Sequence, residues 1–294
     1  MKLQHECLKC IFAQVETVTD MLGFDEARRE SVLRETRDFL SKADYENCTP
    51  ESMGSLWSLL LRDAETDDPY QTIKSRCNAE AEKMADQTRR AIASADDPFT
   101  VALKYAIAGN LIDFGLARPV PVEEQNERIR AVVTAPFAID HSDLLRGALR
   151  TAKRLLYLCD NAGEIVFDRL LLERVRSDYP ALEIVCGVRG KPILNDATMS
   201  DALEAGMDAV ARVIDNGDGS PGTVLKKTSP AFREEFERAD VVVSKGQGNF
   251  ESLWGEEKEH LYFLFMAKCN SICRVVNVKQ MCIVCLKNNE HDVK

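Results

Sequence analysis

The sequence predicts an α/β protein: a doubly wound, mostly parallel sheet preceded by an all-helical segment. Apolar residues recur at helical spacing through roughly the first hundred residues, and no strand signal precedes about residue 150. Short apolar runs then alternate with helix-like segments, the order that builds parallel sheets. Polar, glycine-bearing stretches follow those runs, where such a sheet opens its ligand crevice.

The elements follow in order. Residues 7–22 carry Ile11, Val15, Val18 and Leu22 on one helical face and stop at Gly23. Residues 25–40 and 52–62 repeat the pattern. Asp67-Asp68-Pro69 opens a helix through Ile73, Cys77, Ala81 and Met84, and Asp96-Asp97-Pro98 opens another that ends at Ala108-Gly109-Asn110. Residues 154–159 (RLLYLC), 183–188 (EIVCGV), 211–214 (ARVI), 240–244 (DVVVS), 261–267 (LYFLFMA) and 281–286 (MCIVCL) read as buried strands. Helices are expected near 164–176, 199–205 and 232–237. This is a Rossmann-like layout, with a helical domain over 1–150, expected to cover the cleft and set specificity, and the sheet domain over 151–294.

The net charge of −10 repels nucleic-acid phosphates, so no nucleic-acid partner is expected. No apolar run approaches the ~18 residues of a membrane span, and no secretory leader pattern is visible. The expected address is the cytoplasm, with no membrane partner. In that reducing compartment the ten cysteines are expected to be thiols or metal ligands rather than disulfides. The oligomeric state is not written in the sequence.

Three strand ends carry candidate chemistry. The first reads Asp160-Asn161-Ala162-Gly163-Glu164. Its carboxylate and amide oxygens are hard donors suited to Mg²⁺ or Mn²⁺, or they cap the next helix. The second leads through Arg189-Gly190-Lys191-Pro192-Ile193-Leu194-Asn195 to Asp196, again an acid that caps or binds. Together Asp160, Asn161 and Asp196 leave several octahedral positions for water and substrate, as Mg²⁺ sites usually do. The third reads Ser244-Lys245-Gly246-Gln247-Gly248-Asn249. There Lys245 is expected to supply a mobile positive charge, and Gly246 to let backbone N–H groups approach an anion. The stretch 215–222 reads as a turn beside the substrate site; it lacks the terminal Glu of a calcium loop.

These motifs, with Pro192-Ile193-Leu194-Asn195-Asp196-Ala197-Thr198, Asp201-Ala202 and Ala108-Gly109-Asn110-Leu111-Ile112-Asp113, resemble the damage-control phosphatase family across most of the chain. The resemblance implies a metal-dependent phosphatase of sugar phosphates or other small phosphorylated metabolites, some of them damaged. It places the metal on Asp160, Asn161 and Asp196 and the phosphate on Lys245, with Asn110 and Asp113 lining the cleft. Glu164 and Gly246 join the substrate-binding set. Asp160, Asp196 and Lys245 are the expected catalytic residues. Mg²⁺ or Mn²⁺ is the expected cofactor, with Co²⁺ or Ni²⁺ able to substitute in vitro. Attack by a water and a route through an aspartyl-phosphate on Asp160 both remain open.

Two CxxC pairs stand nearly a chain length apart. Cys7 and Cys10 share a helix face, as a second metal or substrate site requires. The resembled family's prokaryotic branch carries a CxxC there. Cys282 and Cys285 fall in a strand, where residues three apart face opposite ways, so core packing is expected. Two other functions share parts of this pattern. An S-adenosylmethionine-dependent methyltransferase wants a glycine-rich first loop and an acid after the second strand; this chain has one glycine in the former and Arg189 and Lys191 after the latter. A metal- or metabolite-binding protein without turnover would keep the same oxygen ligands.

Overall fold

The computed structural model describes residues 1–62, 64, 66–111 and 122–289. Helices α1 (His5–Met21), α2 (Glu26–Ser41) and α3 (Thr49–Leu60) pack around Val15, Val18, Leu33, Leu56 and Trp57. They follow the expected periodicity, and Asp25 caps α2 by accepting from the Arg28 N–H. Helix α4 (Gln71–Ala93) begins just past Pro69, and α5 (Pro98–Ala108) starts at Pro98 with Asp97 as its cap. α6 (Val122–Thr134) and α7 (Ser142–Thr151) complete the helical part.

The seven-stranded sheet runs β1-β7-β6-β5-β2-β3-β4. Its strands are β1 (Ile139–Asp140), β2 (Arg154–Leu158), β3 (Glu183–Val188), β4 (Arg212–Asp215), β5 (Val241–Lys245), β6 (Leu261–Ala267) and β7 (Cys282–Lys287). All neighbouring pairs are parallel except β6–β7. Between them lie α8 (Glu164–Asp178), α9 (Met199–Glu204), α10 (Pro230–Arg238), α11 (Gly246–Leu253) and α12 (Asn270–Val276). The fold class is therefore the mixed, mostly parallel α/β sheet that the alternation predicts.

Two details depart from expectation. A strand does precede residue 150: Ile139 and Asp140 pair with Val284 and Cys285, too short a stretch to show a period-2 signal. The sheet core also reaches back into the helical segment. Cys77, Met84, Phe99 and Ile107 of α4 and α5 share one apolar layer with Leu155, Tyr157 and the α8 side chains. The opposite face buries Leu156, Leu158, Phe232, Phe250 and Phe263. With both faces covered, β5 and β6 are buried throughout, which is why they read as unbroken apolar runs.

The chain winds β2-β3-β4 to one side and then β5-β6 to the other, so the order reverses between β2 and β5. That reversal leaves a crevice beyond the carboxyl ends of these two strands. Asp160 follows one strand and Lys245 ends the other.

Candidate active site

Gly163, at φ +79°, turns the chain from β2 into α8. The turn is tied to the loop after β3 by Ala162 N–H donating to Asn195 O (3.0 Å) and Ala197 N–H donating to Asp160 O (2.8 Å). Asn161 and Asp196 thereby form an isolated antiparallel bridge. The three expected metal ligands are brought to one place by backbone pairing.

A cavity of about 320 Å³ lies over them. Asp160, Asn161, Asn195 and Asp196 form its base. Cys10, Ile11 and Gln14 of α1, with Thr49, Pro50 and Met53 of α3, form one wall; Pro221, Gln247, Gly248 and Glu251 form the other. The turn at 215–222 thus reaches the cavity through Pro221. No Lys, Arg or His side chain among the described residues lines it.

Beneath the cavity is a buried charge network. Lys245 is fully buried, and its ammonium donates to Glu164 Oε1 (2.6 Å), Asp168 Oδ1 (2.6 Å) and Ala106 O (2.7 Å). The mobile cation expected at 245 is instead a fixed one, because three protein oxygens take its three hydrogens. Glu164 is likewise committed: Oε2 accepts from Asn110 Nδ2 (2.7 Å) and Asn161 Nδ2 (3.0 Å). Asn110 also donates to Asp160 Oδ2 (3.0 Å), as does Asn161 Nδ2 (2.7 Å). Asn161 therefore directs both amide hydrogens at carboxylates, leaving its Oδ1 oxygen for another ligand. Lys245, Glu164, Asn110 and Gly246 support the cavity floor rather than line it. Gly246, at φ +77°, lies so close under Asp160 that a Cβ there would overlap the carboxylate. Asp113 lies outside the described residues.

Arg189 was passed over as a site residue. It is 2% exposed, donates to Asp196 Oδ2 (2.7 Å) and places a second guanidinium nitrogen 3.6 Å from Asp160 Oδ1. Asn249 Oδ1 accepts from it at 3.1 Å. Its position at the end of β3 was the available signal. Asp168 was also missed, though it stands four residues from Glu164 on the same helix face.

Burial pushes the Asp160 carboxyl well above its usual range, and the nearby Glu164 and Asp196 charges add to this. Burial raises Asp196 too, with Arg189 opposing. Burial lifts Asp168 to about 6 although Lys245 works against it. Burial acts to lower Lys245, but Asp168 and Glu164 outweigh it and the shift is upward. Four buried carboxylates (Asp160, Glu164, Asp168 and Asp196) thus face two buried cations, Lys245 and Arg189.

The CxxC cysteines separate: Cys7 is buried in the helical core, whereas Cys10 is exposed at the cavity wall. Among the described residues no group of three or more His, Cys, Asp or Glu side chains is arranged to hold a metal ion. Cys285 is buried and Cys282 half-buried on β7, in keeping with core packing.

A sheet crevice floored by hard oxygen donors, opposite a glycine-bearing helix start, defines an α/β protein with a small-ligand site at its topological switch point. The family model described as the damage-control phosphatase ARMT1-like domain matches residues 3–284, and the chain belongs to that family. It is 35% identical to a damage-control phosphatase of Pyrococcus horikoshii, over 98% of this chain and 99% of that one. An uncharacterized protein of Methanocaldococcus jannaschii is 34% identical, over 95% and 93% of the two chains. A damage-control phosphatase of Archaeoglobus fulgidus is 29% identical, over 95% and 96%. The crystal structure of a DUF89 family protein from Pyrococcus horikoshii superposes with a TM-score of 0.90, at 31% identity, over 98% of this chain and 99% of that one.

Proposed function

We propose that the chain is a divalent-metal-dependent phosphatase of small phosphorylated metabolites. Family membership supports the phosphatase class. One observation carries the metal: the cavity has an acidic floor and no basic side chain among its described lining residues. A phosphate group, itself anionic, is repelled there unless a cation enters with it.

The residues fit such a cation. Asp160, Asn161 and Asp196 supply hard oxygens, and two carboxylates plus one amide oxygen is a number that leaves room for substrate and water. The surplus of buried carboxylate over buried cation favours a doubly charged guest. When bound, Mg²⁺ or Mn²⁺ would offset negative charge on the phosphoryl group.

The protein's own groups do the positioning. Asn110 and Asn161 clamp Asp160 Oδ2, leaving Oδ1 toward Arg189. Arg189 fixes Asp196 from the side. Lys245 pairs with both Glu164 and Asp168, and Glu164 orients the two amides. This gives Lys245 an indirect role in phosphate binding. A carboxylate of this set either orients the attacking water or attacks phosphorus itself; acid quenching of a labelled substrate separates the routes, since only the second leaves phosphate on Asp160.

Phosphate release is the test. After chelator treatment the protein should be inactive toward a phosphometabolite panel and recover with Mg²⁺, Mn²⁺, Co²⁺ or Ni²⁺. Full activity in excess chelator would refute the metal requirement, and no release with any metal would refute the phosphatase.

A further inference from the structure

Asn249 of α11 is fully buried and is not among the residues that line the cavity. Its side chain nevertheless uses both ends. Nδ2 donates to the carbonyl oxygens of Lys245 (2.8 Å) and Cys159 (3.1 Å). Oδ1 accepts from the Thr223 hydroxyl (2.8 Å) and from Arg189 Nη1 (3.1 Å). Two hydrogens and two lone pairs are the whole capacity of a carboxamide. The register of β2 with β5 ends at Leu158 and Ser244. Asn249 thus spans the next residue of each strand, where the sheet opens, and Asp160 follows directly.

The charged group held by Oδ1 is Arg189. Its Nε donates to Asp196 Oδ2 at 2.7 Å, and its Nη1 also reaches Thr223 Oγ1 at 3.4 Å. Its Nη2 stands 3.6 Å from Asp160 Oδ1, beyond a good hydrogen bond. A buried guanidinium beside two carboxylates is drawn to both. Full pairing with Asp160 would occupy Oδ1, the oxygen that Asn110 and Asn161 leave free on that carboxylate. Asn249 and Thr223 give the guanidinium a competing partner on its Nη1 side. Thr223 is itself held by the cavity wall: Pro221 O lies so close to Gly248 that a Cβ there would overlap it.

We propose that Asn249 is a positioning residue: it keeps Arg189 on Asp196 and off Asp160, so that Asp160 retains an oxygen for the cation. The proposal rests on the metal-dependent reading and assigns a residue that reading does not use.

The test is calorimetric titration with Mn²⁺ of chelator-treated wild type, Asn249→Ala, Arg189→Met, their double variant and Leu253→Ala. Circular dichroism checks that each is folded. Leu253 is buried in the apolar core on the same helix, so its truncation controls for lost stability. Asn249→Ala should bind Mn²⁺ about 10- to 100-fold more weakly than wild type, and Leu253→Ala as wild type does. With Arg189→Met already present, the Asn249 substitution should change affinity by about twofold or less, because the competing guanidinium is gone. Thr223→Val removes the hydroxyl that Asn249 and Arg189 share and should weaken binding by about threefold. It carries the test if Asn249→Ala does not fold, and an unchanged affinity there then overturns the proposal. Unchanged affinity in folded Asn249→Ala, an equal loss in Leu253→Ala, or the same loss with and without Arg189 also overturns it. Failure of wild type to bind Mn²⁺ overturns the metal reading with it. Mn²⁺ binding without phosphate release from a phosphometabolite panel overturns the phosphatase reading alone.

Discussion

Lys245 brings a positive charge to the end of β5, and each of its hydrogens is held inside the protein. Its removal strands two buried carboxylates. Lys245→Ala should therefore cost about 3–5 kcal/mol in urea unfolding, the usual penalty for breaking a buried ion pair from one side. A solvated phosphate-binding lysine would cost far less. Gly246 makes a complementary case. Its added methyl group would displace the Asp160 carboxylate, so Gly246→Ala should lower kcat/KM by about 100-fold. At this scale the sequence was legible for residue types and positions: Asp160, Asn161 and Asp196 do converge. It was not legible for partners. Nothing local distinguishes a lysine facing solvent from one folded under α8, because Glu164 and Asp168 reach it only through the tertiary packing of α8 on α5 and β5.

Helix α8 is where several elements meet. Tyr157 of β2 donates to Asp168 Oδ1 at 2.7 Å, beside Lys245. Asp168 rises from 3.8 to about 6 because it is buried, so the native state holds that proton more tightly than the unfolded chain does. Its contribution is most favourable below about pH 4 and declines until about pH 6. Asp168→Asn should remove that decline, which unfolding curves across the interval would show; an unchanged slope would refute it. Helix α4 is tied to the same turn: Asn78 Oδ1 accepts from the Gly163 N–H at 2.6 Å and its Nδ2 donates to Glu204. Asn78→Ala should cost about 1–3 kcal/mol by leaving the buried N–H unpaired. Lys74, paired with Asp68 and Asp201, makes a second tie between α4 and α9. Helices α1 to α5 and α8 and the unbroken apolar strands were readable from local pattern. Helices α6, α7 and α12 and the strand β1 were not; α12 and β1 are short and take their conformation from neighbours already in place.

Across the whole molecule, the alternation of runs was enough to anticipate the parallel sheet, its crevice and which loops would share it. It did not reveal the reversal at β7, which pairs antiparallel with β6 and brings β1 into the sheet. Nor did it say which helices of the expected cleft cover would border the cavity: that α1 and α3 do so depends on how helices far apart in sequence dock. No helix among the described residues is long and apolar enough to cross a membrane. The arrangement joins an acidic floor to walls that carry no basic side chain among the described residues. On the proposed reading, a cation seated on the floor converts this cavity from one that repels phosphate to one that holds it.

Calorimetric titration of chelator-treated protein with Mn²⁺ tests that claim most directly, run beside an Asp160→Asn/Asp196→Asn double variant whose folding is checked by circular dichroism. One equivalent should bind wild type, with affinity falling by about 100-fold or more in the variant, since each lost carboxylate removes both a charge and a ligand atom. Equal Mn²⁺ affinity in the two folded proteins, or no binding to either, would contradict the account.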